Sequence, residues 1–466
     1  MKRKNYVFLL ICLIGQQLTA QVDGIWHASF TVMGKALRMD MEVADSNGVK
    51  TIFLSDPDKP SKQAFQVAAI EVSDSLLIFN WKKGALNYRG KINSEKDSII
   101  GTMTQNGVEW EALYTKVDQE PIMIQRPQEP KAPFNYQTEE VTIPNGEYKI
   151  TGTLTTPADS LNKNIVVVLA SGSGPQNRDG ELLGHKPFWV IADYLARNGI
   201  ATLRFDDRGT GGSTAGYFQA SLNDFANDVS HCVDFIALDN RFVNYKIGVA
   251  GHSEGGMHAL IAASQNDSID FIIELASVGS CGKKVLLEQQ YLIPLKSGLG
   301  EDHAKWNKSL FKGVCRIVEK VEDKEKAGIA ISDFIDRKWN KAPEKVKESS
   351  SIMTVKMSMN MLLNNDWGRE FLEYQTKDYF SQCHVPVLAI NGGEDIQVPA
   401  ASNNKAFLKW MKQSKNDSSI ALLLPGLNHL FQNCQQCNIE EYATLEETFA
   451  EEVMLKMVEW ITLIGQ

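Results

Sequence analysis

Residues 245–265, "YKIGVAGHSEGGMHALIAASQ", place a serine between two glycines where one sequence pattern changes into another. The apolar run at 247–250 is typical of a short buried strand, and the alanines, leucine and isoleucine that follow Met257 favour a helix. A strand, a sharp turn and a helix are the setting of a nucleophile elbow, in which glycines leave room for a tight backbone. We therefore predict that Ser253 is a catalytic nucleophile and not only a polar residue in a glycine-rich turn.

A nucleophilic serine needs a base to take its proton and an acid to orient that base. In a strand–elbow–helix architecture the chain order is serine, acid, histidine, with each partner in a loop at the carboxyl end of a strand. Asp395 follows an apolar run in "VLAINGGEDIQVP", and His429 follows another in "LLLPGLNHLF". We predict Asp395 as the acid and His429 as the base.

Other acids and histidines compete for these two roles. Glu394 is the nearest alternative to Asp395, which could itself be a solvated loop carboxylate. Asp207, in "RFDDRGTGGS", is predicted to form a turn. His252 falls inside the elbow and His258 on the following helix, so neither is placed to act as the base.

An oxyanion hole is expected to combine the backbone N–H of Glu254 with one from the loop after the first apolar strand. That loop is "SGSGPQNRDG", residues 171–180, and Ser173 is its best candidate donor. Gly172 and Gly174 let the backbone approach a substrate closely. A phosphate cradle is the rival interpretation, but the loop lacks the G-K-[ST] ending, which excludes nucleotide binding.

The composition is that of a large folded protein. The chain has 466 residues, of which 43% are hydrophobic, enough for about three domain equivalents with sizeable cores. Its net charge is −9, with both signs scattered along the chain. This balance excludes a nucleic-acid partner and a polybasic membrane-binding surface.

The first 20 residues have the pattern of a signal peptide. Basic residues at 2–4 precede an apolar run at 7–14, and Leu18-Thr19-Ala20 offers a cleavage site before Gln21. The apolar run is too short for a stable membrane span. We predict an exported, soluble protein, periplasmic or extracellular.

Residues 21–118 predict a separate β domain. Short strand-like runs recur, among them "LLIFNW", "LNYRGKI", "SIIGTMT" and "VEWEALYTKV", and Asn106-Gly107 offers a hairpin turn between the last two. This spacing is typical of an antiparallel barrel or sandwich, which we interpret as a packing or spacing domain rather than a ligand-binding one. Residues 119–137 contain four prolines and predict a semi-rigid linker.

From residue 138 onward strands and helices alternate, which predicts a parallel sheet covered by helices on both faces. The alternation stops for about a hundred residues at 281–382. One apolar helical stripe there consists of Trp306, Leu310, Val314, Ile317 and Val321. We predict that residues 281–382 form a helical lid insertion. The apolar stripe is also explained by ordinary core packing, and both interpretations can hold at once.

The cysteine pair Cys434 and Cys437 forms a C-x-x-C motif. No second C-x-x-C completes a zinc site, and no thioredoxin-like unit surrounds the pair, so redox and metal functions are disfavoured. In an oxidising compartment a local disulfide and two free thiols are equally compatible with the sequence.

Residues about 138–466 resemble an α/β-hydrolase of the bacterial exported esterase type, related to acyl-CoA thioesterase-like and serine-aminopeptidase-like hydrolases. The motifs "SGSGPQNRD", "RFDDRGTGGST", "GHSEGG", "NGGEDIQVP" and "LNHLFQ" occur in the order of that family. The N-terminal β domain is similar to the small lipocalin-like modules that precede such hydrolases. The resemblance implies that Ser253 is the nucleophile, Asp395 the acid and His429 the base.

The function expected from these residues is hydrolysis of a small-molecule carboxylic ester through an acyl-enzyme, with no metal or organic cofactor. Within the same triad chemistry the alternatives are a serine peptidase or aminopeptidase and a thioesterase. An alternative of another class is a glycan- or lipid-binding protein whose hydrolase fold is vestigial. An intact triad disfavours this last interpretation.

Overall fold

The computed structural model describes residues 22–117, apart from 33–34, 47–48, 56–64, 74, 82–85 and 106–107, and residues 126–465, apart from 415–416. The predicted signal peptide and the Asn106-Gly107 turn lie outside these residues. The chain divides into two compact units, Met1–Met123 and Ile124–Gln466.

The first unit is a closed antiparallel barrel, which decides between the barrel and the sandwich that the sequence left open. Each strand pairs with the next along the chain, and the first pairs with the last from Ile25–Val117 to Ala28–Tyr114. In chain order the strands are β1 (Gly24–Val32), β2 (Lys35–Ser46), β3 (Val49–Ser55), β4 (Phe65–Val72), β5 (Leu76–Trp81), β6 (Leu86–Ile92), β7 (Ser98–Gln105) and β8 (Val108–Val117).

Aromatic side chains fill the inside of this barrel. Along β6 buried and exposed residues alternate strictly, as expected for a strand with one face in a core. Trp26, Phe79, Tyr88 and Tyr114 are all buried, and the Tyr88 hydroxyl donates to the Ile99 carbonyl at 3.2 Å. The barrel therefore has a hydrophobic core of its own.

The second unit contains an eight-stranded sheet in the order β16-β15-β14-β13-β11-β12-β10-β9. Its strands are β9 (Tyr136–Asn145), β10 (Tyr148–Pro157), β11 (Ile165–Ala170), β12 (Ala201–Phe205), β13 (Lys246–His252), β14 (Phe271–Leu275), β15 (Val387–Gly392) and β16 (Ile420–Leu424). From β12 to β16 all neighbours are parallel, as predicted. The hairpin β9–β10 is antiparallel and extends the sheet at one edge, which the sequence analysis did not anticipate.

Helices cover both faces of this sheet. Along β11, Val166 and Val168 pack into one hydrophobic cluster while Val167 and Leu169 pack into the other. The first cluster includes α2 (Leu222–Ala237), α3 (Glu254–Ala263) and α11 (Ala400–Ser414), and the second includes α1 (Pro187–Arg197) and α12 (Glu451–Ile464). This layered arrangement is the predicted α/β-hydrolase architecture.

Seven helices lie between β14 and β15, where the helical insertion is predicted. They are α4 (Gly282–Lys296), α5 (Glu301–Val318), α6 (Lys324–Trp339), α7 (Glu344–Ser349), α8 (Ile352–Leu363), α9 (Asp366–Glu373) and α10 (Thr376–Phe380). Leu310 and Val314 of the predicted stripe are fully buried and share one cluster with Met257 and Ile261 of α3. The insert therefore packs directly on the helix that follows Ser253. In the described part of the chain, every helix is too short or too polar to span a membrane.

Candidate active site

Ser253 occupies the sharp turn between β13 and α3. Its φ of 57° and ψ of −119° are strained for a residue with a side chain, and its N–H donates to the Leu275 carbonyl at 2.8 Å. A Cβ on Gly251 would lie 2.1 Å from the Gly255 carbonyl oxygen, and one on Gly255 would lie 2.2 Å from the Ala170 carbonyl oxygen. Only glycine fits at both positions, which is the backbone geometry expected of a nucleophile elbow.

The structure brings the three predicted triad residues together. Nε2 of His429 lies 3.0 Å from Oγ of Ser253, and its Nδ1 lies 2.8 Å from Oδ2 of Asp395. The Asp395 side chain is buried, and its Oδ1 accepts the backbone N–H groups of Gln397 at 2.8 Å and Val398 at 2.9 Å. These bonds fix the carboxylate so that its other oxygen faces the imidazole, and the chain of contacts can pass a proton from Ser253 to His429.

The competing residues lie in other arrangements. Glu394 points to Lys296 at 3.5 Å, and its side chain is 44% exposed. His252 donates from Nε2 to the His429 carbonyl at 2.9 Å, and burial together with the nearby His429 lowers its pKa to about 3. His252 is therefore a neutral support for the loop that carries His429. His258 contacts Glu254 instead of the serine.

The two residues predicted to supply the oxyanion donors, Glu254 and Ser173, contact each other through their side chains beside Ser253. Glu254 is the first residue of α3, where a helix leaves its N–H groups without intrahelical partners. A Cβ on Gly172 would lie 3.2 Å from Cβ of Ser253, so the loop after β11 runs directly against the serine. The hydroxyl of Ser173 donates to Oε2 of Glu254. The role of both N–H groups in holding an oxyanion stays a prediction.

Asp207 has a contact that sequence reasoning missed. Its carbonyl accepts from the Thr210 N–H at 2.9 Å, as in the predicted turn. Its buried carboxyl also accepts the Ser171 hydroxyl and, at 2.8 Å, the Gln176 N–H, so it anchors the loop that carries Ser173. Burial is the main cause that raises the pKa of Asp207 to about 7. A pair of adjacent aspartates followed by turn residues gave no sequence signal for this contact.

Asp206 holds the far end of the same loop. Its carboxylate accepts from the backbone N–H of Arg178 at 2.9 Å and from Nη2 of that arginine at 2.7 Å. The Gly212 N–H and the Thr151 hydroxyl donate to it as well. Two neighbouring aspartates in the turn after β12 therefore fix loop 171–178 from both ends.

A cavity of about 250 Å³ opens above Ser253 and His429. Its lining is mostly apolar, and the insert contributes one wall from α4, α8 and α9. The apolar lining side chains include Leu182, Phe188, Val278, Val285, Leu286, Leu362, Trp367, Phe371, Val398, Leu430 and Phe449. A pocket of this lining suits an apolar group next to the scissile bond.

Among the described residues that line this cavity, Glu254 is the one with a carboxylate. Both of its oxygens are engaged, since Oε1 accepts from Trp367 and His258 and Oε2 accepts from Ser173. The negative charge of the Glu254 carboxylate is therefore already stabilised by hydrogen bonds from three residues of the protein.

Cys434 and Cys437 form a disulfide in the loop that follows His429, with Cα atoms 5.1 Å apart. Among the described residues, these sulfurs and the Glu441 carboxylate are the one cluster close enough to share a metal ion. That carboxylate accepts backbone N–H groups of the loop, including that of Cys437 at 2.7 Å, and the sulfurs are bonded to each other. The arrangement anchors a loop and is poorly suited to metal binding.

A family model described as "Serine aminopeptidase, S33" matches residues 188–433, which are 246 of the 466 residues. An uncharacterized 31.7 kDa protein of Escherichia coli, from the traX-finO intergenic region, is 22% identical over 275 residues that cover 58% of this chain and 83% of that protein.

Solved structures similar to this chain include the Pyrococcus furiosus esterase Pf2001, at 14% identity and a TM-score of 0.43, covering 70% of this chain and 90% of that one. A proline iminopeptidase of Mycobacterium smegmatis has 16% identity and a TM-score of 0.42, covering 70% and 99% of the two chains.

Proposed function

The chain belongs to the serine aminopeptidase S33 family of hydrolases, and on that premise we propose that it hydrolyses carboxylic esters with Ser253 as nucleophile. The observation that carries the proposal is the hydrogen-bonded series Ser253–His429–Asp395, which lies beneath a mostly apolar cavity. An ester is preferred to an amide as the substrate because an alcohol leaves more readily than an amine.

The proposed reaction has two steps. His429 takes the proton of Ser253 while the serine oxygen attacks the ester carbonyl, and the backbone N–H groups of Glu254 and Ser173 hold the resulting oxyanion. Protonated His429 then delivers its proton to the departing alcohol, which leaves an acyl group on Ser253. A water molecule, deprotonated by the same histidine, attacks the acyl-enzyme, and the histidine returns that proton to Oγ of Ser253 as the acid is released.

An aminopeptidase is the alternative on the same residues. It has to bind the free ammonium group of a peptide, and an unengaged carboxylate near the scissile bond is the chemistry that would do so. Within the described lining of the cavity Glu254 is the one acid, and its oxygens already accept hydrogen bonds from Ser173, Trp367 and His258. This engagement favours an uncharged acyl group over an aminoacyl group.

A direct comparison of substrate classes tests the proposal. The purified protein would be assayed against p-nitrophenyl acetate and octanoate, a set of aminoacyl p-nitroanilides and an acyl-CoA thioester. We expect kcat/KM to be highest for a p-nitrophenyl ester and the S253A variant to lose at least about 10³-fold, as for removal of a triad residue. A preference for an anilide or a thioester would replace the ester by that substrate class. If the folded wild-type protein hydrolyses none of the three substrate classes, a binding function is favoured instead.

We also propose that the protein is exported. The basic and apolar residues at the start of the sequence support a signal peptide. The bond between Cys434 and Cys437 is of the kind that persists in an oxidising compartment. Fractionation of cells that express the full chain, followed by N-terminal sequencing of the product, tests this. A cytosolic product that retains residues 1–20 would contradict it.

A further inference from the structure

The carboxylate of Glu254 joins three elements around the nucleophile. Oε2 accepts a hydrogen bond from the hydroxyl of Ser173 in the loop after β11, and Oε1 accepts one from Nε1 of Trp367 in α9 of the insert. Nε2 of His258, one turn along α3, lies 3.2 Å from Oε1. The residue is only 2% exposed. A buried charge therefore connects the predicted oxyanion loop, the helix after Ser253 and the insert.

The Glu254 carboxylate is held in its charged, accepting form. Burial alone would raise the pKa of this group, but the bonds from His258, Ser173 and Trp367 outweigh the burial and lower it. A carboxylate can accept from all three donors at once. A glutamine can keep these contacts by turning its NH₂ group to the Ser173 hydroxyl, which can also accept, whereas a leucine of similar volume accepts from none of the three.

Two of the three partners also line the substrate cavity. Ser173 carries the predicted oxyanion N–H, so its hydroxyl bond to Glu254 restrains the loop that has to present that N–H. The Trp367 ring forms part of the insert wall, with the Phe371 ring 5.2 Å away. A change at Glu254 is therefore transmitted to both the reacting carbonyl and the acyl pocket.

We propose that the Glu254 side chain is a positioning residue that fixes the oxyanion loop through Ser173 and the insert wall through Trp367. The proposal rests on the proposed esterase function. It predicts different kinetic effects for loss of the Glu254–Ser173 bond and for loss of the Glu254–Trp367 bond. Release of Ser173 weakens transition-state stabilisation, so it lowers kcat for every ester. Release of Trp367 loosens the acyl pocket, so it raises KM for a long acyl chain and leaves a short one unaffected.

The test compares E254L, S173A and W367F in the full-length protein on p-nitrophenyl acetate and octanoate. S173A should lower kcat about tenfold on both esters with little change in KM, a fraction of the roughly 10²–10³-fold loss seen when a donor is removed outright. W367F should raise KM about tenfold for the octanoate alone. E254L should show both effects, and E254L/S173A should have nearly the kcat of E254L, since the two changes break the same bond. E394L makes the same change at an exposed acid and is the matched control.

Either of two outcomes would overturn the proposal. One is an E254L enzyme with kcat and KM close to wild type on both esters, and the other is that the losses in E254L and S173A multiply in the double variant. If E254L fails to fold, S173A and W367F still test the separate effects of the two bonds, because each variant breaks one bond. Equal effects of W367F on both esters contradict the proposal.

If the wild type hydrolyses neither ester, the esterase proposal fails by itself. The same variants would then be compared by the rate at which a fluorophosphonate labels Ser253, a reaction that uses the oxyanion loop and needs no ester. Slower labelling of E254L and S173A supports the positioning role. Equal rates, or an unlabelled Ser253 in the wild type, overturn it.

Discussion

Oδ2 of Asp395 lies 2.8 Å from Nδ1 of His429, while the neighbouring acid Glu394 faces Lys296. Only Asp395 can therefore orient the imidazole. We expect D395N to lower kcat by at least about 10³-fold, since the amide holds the wrong tautomer of the histidine. E394Q should retain nearly full activity in the same ester assay. Equal losses of kcat in D395N and E394Q would show that Asp395 is not the acid that alone orients His429.

Asp207 is expected to give an intermediate effect. The oxygen of D207N can still accept the Gln176 N–H, and its NH₂ group can donate to Ser171 Oγ, but both bonds are then weaker neutral ones, which loosens the loop before Ser173. The expected loss in kcat is about tenfold, well below that of D395N, with KM little changed. Steady-state kinetics on a short ester measure it. A D207N enzyme with wild-type kcat would show that Asp207 forms the turn but does not position the loop before Ser173.

Glu274, in β14, should make stability depend on pH. It is buried, Oε1 has no hydrogen-bond partner among the described residues, and burial raises its pKa to about 8. Between about pH 4.5 and 8 the folded protein holds a proton that the unfolded chain has released, so the free energy of unfolding contributed by this group falls as pH rises. The slope for one full proton is about 1.4 kcal/mol per pH unit.

The E274Q variant isolates that contribution. Because glutamine cannot titrate, the stability of E274Q relative to wild type should rise between pH 5.5 and 8, as measured by urea unfolding at each pH. Parallel pH dependences of the two proteins would contradict the assignment of a proton to the buried Glu274.

The start of the second unit predicts where a truncated hydrolase can begin. Arg126 donates to the carbonyls of Leu183 at 3.1 Å and Ala443 at 2.9 Å, and Gln128 bonds to Phe449 beside the cavity. A fragment of residues 124–466 should fold and hydrolyse short esters. One of residues 134–466 loses these bonds and should melt about 5 °C lower or more, since bonds to charged groups contribute about 1.5–3 kcal/mol each.

Thermal unfolding and a p-nitrophenyl acetate assay compare the two fragments with the full chain. Equal melting temperatures would make the segment at 126–133 a spacer only. A folded but inactive 124–466 fragment would place the barrel inside the catalytic unit, against the two-domain interpretation. Selective loss of activity on bulky esters would instead assign the barrel a role in substrate access.

Local patterns were sufficient for much of the fold. The bounds of β5, β6 and β8 equal the quoted strand-like runs, because short runs rich in apolar, β-branched and aromatic residues between turn residues are typical of strands. In β6 buried and exposed residues also alternate strictly. The order of serine, acid and histidine followed from strand ends in the same way. The β9–β10 hairpin was missed because "YQTEEVTIPN" is mostly polar, as befits an exposed edge strand, and carries little periodic signal.

The supports of the site could not be predicted from the sequence. Glu254 and Ser173 are 81 residues apart, Glu254 and Trp367 are 113 apart, and Ser171 and Asp207 are 36 apart. Each contact depends on how loops from different strands meet above the sheet. Local sequence spacing does not predict contacts between loops so far apart in the chain, so these side-chain hydrogen bonds can be identified only from the structure.

Mass spectrometry after reaction with a fluorophosphonate shows whether Ser253 is an activated nucleophile. We expect one covalent adduct per chain, on the peptide that contains Ser253, with concurrent loss of ester hydrolysis. Labelling of H429A should be at least about 10³-fold slower, because the base is removed. A protein that hydrolyses esters and carries no adduct on Ser253 would show that another residue is the nucleophile.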